Sequence, residues 1–167
     1  MNYIVPDMKL VTQDKTMSCW FASGRMLIQW RRRRSRMSDA AHPDPSQVRR
    51  WGLLYDQNPG IVNAQIPAFA DALGLRMVPP MSPTPQGLLN LLMVYGPLWV
   101  NGKSHITVIA GIRDTGGELE VLVFDPDPAY AFKQAGEWRS LRDWYVLDPS
   151  SGRDSANDVQ TVFLYVP

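Results

Sequence analysis

The stretch LVTQDKTMSCWFASGRMLIQW, Leu10 to Trp30, contains the only cysteine of the 167-residue chain, and its reading decides the fold. After Ser18, residues Trp20, Gly24, Leu27 and Ile28 recur on one face at helical spacing, with Phe21 and Met26 broadening that face. Ser18 belongs to the residue types that cap a helix N-terminus. The pattern predicts a helix from about Ser18 to Arg34, ending in RRRRSR, where cations near the last carbonyls are favourable. Cys19 then stands in the first turn. A lone cysteine in an apolar helix start is by itself most often a small core residue. A role as nucleophile depends on what the rest of the chain brings to it.

Beyond this helix, SDAAHPDPSQ has turn chemistry, its two prolines pushing the preceding residues out of the α region. PSQVRRWGLLYDQN and IPAFADALGLR predict two short helices, the second stopping at Gly74. TPQGLLNLLMVYG predicts another, opened by Thr84 with Pro85 at the first helical position and closed by Gly96. After Gly96 the pattern changes. PLWVNG, HITVIAGIRD, ELEVLVFDP and DVQTVFLYVP are short runs rich in β-branched and aromatic residues. The DTGG between the second and third is a hairpin signal. Helices first and an antiparallel sheet second make an α+β layout. The length predicts one domain over residues 1–167.

Composition excludes several classes. Lys+Arg 17 against Asp+Glu 16 leaves a net charge of +1, so no global field argues for nucleic acid or an anionic membrane surface. A single cysteine excludes an internal disulfide and any multi-cysteine metal site. The N-terminal MNYIVPDMKLVTQDKT lacks a basic segment followed by an apolar run. No apolar stretch of about eighteen residues occurs anywhere. The expectation is synthesis in the cytoplasm with no signal peptide and no membrane insertion. Export by a signal-independent system is compatible with it.

A thiol attacks efficiently only as thiolate, which a helix N-terminus and a neighbouring imidazolium both favour. The histidines are His42, in a turn-like loop, and His105, a polar residue leading an apolar strand. His105 is the stronger candidate, because a polar residue there has no core role. A third group must hold the imidazole. Asp125 ends the strand that DTGG pairs with the His105 strand. Asp127 is its rival, and Asp148 repeats the strand-then-DP pattern farther along. Gln13, six positions before Cys19, offers an amide donor to a developing oxyanion beside the Cys19 N–H. Of the remaining features, Arg31 to Arg34 with Arg36 read as a solvated helix end rather than an anion-binding patch, and Trp138 and Trp144, at helical or turn spacing, as core packing rather than the edge of a substrate cleft.

Gln13 with SCWFAS resembles the glutamine and Cys-Trp helix start of papain-like cysteine peptidases. The resemblance runs through YGPLWV into HITVIAGI and then FDP, which are similar to the His and Asp strands of the short bacterial members, including secreted effector peptidases. It spans roughly Tyr3 to Asp125. Two departures stand out: Met17 where plant-type members have glycine two before the cysteine, and Asp125 where they have asparagine. The resemblance implies a papain-like fold, with an N-terminal helical half carrying the catalytic cysteine at the start of its main helix and a C-terminal antiparallel half. It makes Cys19 the nucleophile, His105 the general base and then acid, Asp125 the orienter and Gln13 the oxyanion donor, with no cofactor and no metal. The implied substrate is a protein or peptide. Peptidoglycan amidase, deamidase, acyltransferase and inactive binding module are the alternatives on the same fold. A bacterial effector or toxin, with a cognate immunity or inhibitor protein as partner, is the implied setting.

Overall fold

The computed structural model describes residues 1–35, 41–79, 83–102, 105–142 and 163–167. Four helices, α1 (Cys19–Arg34), α2 (Arg49–Gln57), α3 (Ile66–Ala72) and α4 (Pro85–Tyr95), pack with seven strands among the described residues. The strands are β1 (Asn2–Ile4), β2 (Arg76–Met77), β3 (Leu98–Asn101), β4 (Ile106–Asp114), β5 (Leu119–Phe124), β6 (Glu137–Ser140) and β7 (Phe163–Tyr165). All pairings are antiparallel, in the order β2-β7-β3-β4-β5-β6, with β1 beside β4. The fold is α+β, as the sequence predicts.

Strand β4 is the spine. On one side it pairs with β3 along Ile106 to Ile109 and then with β1 along Gly111 to Arg113. Its other side pairs with β5 from Val108↔Phe124 to Asp114↔Leu119, with one irregularity between Ile109 and Gly111. Residues Ile106 to Ile112 are buried without alternation, as in a strand covered along its length. The DTGG hairpin closes as expected, with the Asp114 carboxylate accepting from the N–H groups of Gly116 and Gly117.

Helix α1 departs from the expected one-sided pattern. Trp20 to Gly24, Met26 to Ile28 and Trp30 are all buried, so the helix is enclosed over its first three turns. Trp20 meets Trp51 of α2 and Phe69 of α3 edge-on, and Phe69 lies beside Trp99 of β3. A Cβ at Gly24 would lie 2.9 Å from Cζ of Phe69, so glycine there lets α3 approach α1 closely. Two buried hydrogen bonds join α1 to the sheet: Ser23 Oγ to the Ile106 carbonyl, 3.3 Å, and Trp99 Nε1 to the Trp20 carbonyl, 3.2 Å.

Other expectations are corrected. The segment predicted as one helix over 45–58 is a 3₁₀ turn, Pro45–Gln47, capped by Asp44, then α2; Val48 between them is extended. Ser18 stands at the α1 N-cap, but its hydroxyl exchanges hydrogen bonds with the backbone of Lys15 rather than with the helix. Trp138 lies in β6 opposite Leu122 and packs against the core, as the packing reading expects. Strands β1, β2 and β6, of three, two and four residues, go unread in the sequence. Arg36, Trp144, Asp148 and the first residues of DVQTVFLYVP lie outside the described residues. Helix α4 follows its sequence signals, with Thr84 Oγ1 accepting from the Gly87 N–H and Gly96 closing the last turn.

Gly96 has φ of +81°, and a Cβ there would lie 2.3 Å from Cη2 of Trp30. Gly96→Ala therefore combines left-handed strain with overpacking. It is expected to lower stability by about 2–5 kcal/mol, read as a fall in the urea midpoint at unchanged slope. A midpoint equal to that of the unmodified chain refutes this account of the α4–β3 corner.

Candidate active site

The hairpin of β4 and β5 assembles the first half of the site. Extending the register one pair past Val108↔Phe124 sets Asp125 opposite Thr107, a diagonal neighbour of His105 on the same face. His105 Nε2 donates to Asp125 Oδ1 at 2.6 Å. Asp125 is 5% exposed. It also accepts the Asp127 N–H on Oδ1 at 3.1 Å and Arg139 Nη2 on Oδ2 at 2.9 Å. Asp127 itself turns away. The chain leaves the strand at Pro126, and the Asp127 carboxylate caps the 3₁₀ turn Pro128–Tyr130 through the Ala129 N–H.

Helix α1 brings the second half. Cys19, its first residue and a free, half-buried thiol, lines the same cleft as the His105 ring. With Nε2 held by Asp125, the nitrogen left for the sulfur is Nδ1. The hydrogen bond to Asp125 and then the neighbouring Cys19 thiol push the His105 imidazole up to about 10, against the opposing effect of its burial. For Asp125, burial favours the neutral acid. Hydrogen bonds from His105, the Asp127 N–H and Arg139 outweigh it and hold the carboxyl below the usual carboxylate range.

The loop leading into Cys19 is tied to the end of α2. Asn58, the left-handed C-cap of that helix, accepts the Met17 N–H and donates to Thr16 Oγ1. Lys15 Nζ reaches the Tyr55 and Asp56 carbonyls and lies over the Tyr55 ring, and Tyr55 donates to Asp14. Because the Ser18 hydroxyl is spent on Lys15, no side chain caps the first turn of α1. The Cys19 N–H has no hydrogen-bond partner among the described residues.

Gln13 is buried beside this loop. Its main-chain N–H donates to the carbonyl of Pro126, next to Asp125, at 2.7 Å. Its side-chain Nε2 donates to the carbonyls of Lys15 and Thr16, at 3.0 and 3.1 Å. Oε1 is buried without a partner among the described residues. In this conformation both amide hydrogens are thus committed to the loop. His42 belongs elsewhere: it is buried, with Nδ1 at 3.2 Å from the Leu73 carbonyl. The structure thus groups Cys19, His105 and Asp125, with Gln13 adjoining through its backbone.

A cleft of about 330 Å³ opens beside Cys19 and His105. Met17, Ile61 and Val62 form apolar walls, and an amide pair, Asn101 Nδ2 to Asn63 Oδ1 at 3.0 Å, lines one side. Sequence reading missed two parts of the site. Arg139 sits in the short polar run EWRS, where an arginine carries no signal of a buried partner. The other is the wall at 59–62, irregular chain that leads into the 3₁₀ turn Asn63–Gln65. No metal-binding cluster of His, Cys, Asp or Glu occurs among the described residues. A thiol at an uncapped helix start, an imidazole in contact with it and a buried carboxylate behind that imidazole are the parts of a nucleophile with its own acid-base partner.

No curated protein sequence matches the chain. Among solved structures, UfSP from C. elegans superposes with a TM-score of 0.60 at 18% identity, over 100% of this chain and 34% of that one. That likeness is one of fold, and the chain spans about a third of the length of that relative. No helix among the described residues is long and apolar enough to cross a membrane. The sequence model of the family described as papain-like cysteine protease AvrRpt2 matches residues 3–142, and the chain belongs to that family.

Proposed function

We propose that the protein is a cysteine peptidase that hydrolyses amide bonds of a protein or peptide through Cys19, His105 and Asp125. The observation that carries this reading is the placing of the Cys19 thiol and the His105 ring at one cleft, with His105 hydrogen-bonded to the buried Asp125 carboxylate behind it. His105 takes the thiol proton, and the sulfur attacks the carbonyl carbon, placing negative charge on the carbonyl oxygen. The uncommitted Cys19 N–H is positioned to receive that charge. Gln13 adds a second donor when substrate exchanges with one of the two carbonyls now holding its amide. The tetrahedral adduct collapses as the C–N bond breaks, with the His105 proton passing to the departing nitrogen. Water, deprotonated by His105, then attacks the thioester and frees the acid and the thiol.

Met17, Ile61 and Val62 fit the reading that an apolar substrate side chain lies next to the scissile bond. The resemblance to secreted effector peptidases supports the setting, action on a protein of another cell with a cognate inhibitor as partner.

Cys19→Ala is expected to fold normally and to lose at least about a thousandfold in cleavage of casein or a peptide library followed by mass spectrometry. Normal cleavage by that variant sinks the reading, and products found only from peptidoglycan, or only as deamidated glutamine, redirect it. The pH profile supplies a second test. The imidazolium must keep its proton for the leaving group, and the hydrogen bond to Asp125 is the largest cause of its raised position. The alkaline limb of kcat/KM should therefore lie near pH 10 and move toward neutral in Asp125→Asn. An alkaline limb that Asp125→Asn leaves in place removes Asp125 from the mechanism.

A further inference from the structure

We propose that Arg139 is a positioning residue of this site: it grips the second oxygen of Asp125 and, as a fixed cation, limits how strongly that carboxylate holds the imidazolium of His105. The inference rests on the Cys19–His105–Asp125 reading and adds a member that the sequence gives no reason to suspect. Asp125 has one oxygen turned to His105 and the Asp127 N–H and the other to Arg139 Nη2, at 2.9 Å. Both oxygens are therefore engaged, and the carboxylate cannot rotate without breaking a charged hydrogen bond.

Arg139 is itself held on three sides. Its Nε donates to Glu137 Oε2 at 3.2 Å, and its guanidinium lies 4.6 Å from the Tyr130 ring centroid. The other carboxylate oxygen of Glu137 pairs with Lys133 Nζ at 3.2 Å. Only a planar, multi-donor head can grip Asp125 and Glu137 while its face lies on an aromatic ring, which suits arginine and not lysine. The side chain is 25% exposed, so the charge acts where solvent screens it incompletely.

The electrostatic consequence has a definite sign. Two cations, the imidazolium and Arg139, draw on one buried carboxylate and repel each other across it. Removing Arg139 leaves the whole carboxylate charge to His105, so the imidazolium holds its proton more tightly. Too tight a hold makes a poor general acid toward the leaving nitrogen. The described titratable and charged groups around His105 are Cys19 on α1, Asp125 after β5, and Arg139 and Glu137 on β6, with Lys133 behind Glu137. Glu137 offsets part of the Arg139 charge, and Lys133 offsets part of Glu137.

The chain has two histidines, so once the two sets of ring resonances are assigned an NMR titration reports His105 directly. In the Cys19→Ala background, adding Arg139→Gln is expected to raise the His105 midpoint by about half a unit to one unit. Adding Arg139→Lys, which keeps a cation, should return it toward the starting value. With Cys19 intact, Arg139→Gln is expected to lower kcat about tenfold with KM within about twofold, and Arg139→Lys to recover part of that loss. A midpoint that Arg139→Gln leaves in place or lowers overturns the inference, whatever the kinetics. So does a wild-type kcat in Arg139→Gln. A midpoint that moves as expected in a chain that cleaves nothing sinks the peptidase reading while leaving the action of Arg139 on the pair intact.

Discussion

A carboxylate taken out of water must recover its hydrogen bonds from the protein, and Asp125 is where this fold meets that demand. Its partners come from separate segments: His105 before β4, the Asp127 N–H just past β5, and Arg139 on β6. None of the three is a core residue, yet their meeting depends on the core. The apolar residues Val121 to Phe124 and Ile106 to Ile112 bury the hairpin. Sliding β5 against β4 by one residue would send Asp125 to the opposite face from His105. Burial of aliphatic side chains sets the register, and the register sets the pairing of His105 with Asp125.

The sulfur arrives by a different route. Helix α1 is enclosed by aromatic rings and joined to the sheet through Ser23 and Trp99. Each such bond contributes only about 1 kcal/mol net, but leaving either buried partner unmatched costs more. Their importance is therefore one of position: they fix where the first turn of α1 ends relative to Ile106, one residue after His105. The approach loop is held independently, by Asn58, Tyr55 and Asp56 at the end of α2. Because Ser18 caps that loop instead of the helix, the N–H groups at the head of α1 stay open beside the thiol.

What could be read from sequence follows the range of the forces involved. The α1 helix, the Thr84 and Gly96 boundaries of α4 and the β4–β5 hairpin are written in local periodicity and turn chemistry, and they stand as expected. The approach of His105 and Asp125 was legible because one hairpin links them and DTGG marks its turn. The full enclosure of α1 was not, since it depends on Trp51 of α2 and Phe69 of α3 packing against Trp20. The use of Ser18 is similar: its residue type fits a helix cap, but Lys15 competes for the hydroxyl through a turn that the sequence does not announce. Gln13 was legible as a neighbour of the cysteine, while the pairing of its amide with Lys15 and Thr16 belongs to the folded loop. Arg139 was hidden most completely, because a long cation on a four-residue edge strand has the same local pattern whether it faces water or a buried acid.

That hidden arginine bears on one departure visible in the sequence. By the resemblance seen in the sequence, Asp125 stands where plant-type papain-like peptidases carry a neutral asparagine as the third member. An aspartate alone would orient the ring equally well but would add a full negative charge behind it. Asp125 joined to Arg139 is a pair with no net charge and with its negative end toward His105. In that respect it acts more like an amide dipole than like a free carboxylate. Glu137 and Lys133 continue the alternation of sign outward to solvent, so no charge in the row stands without an opposite neighbour. On this view the acid at position 125 and the arginine at position 139 are one device, and neither is intelligible from its own stretch of sequence.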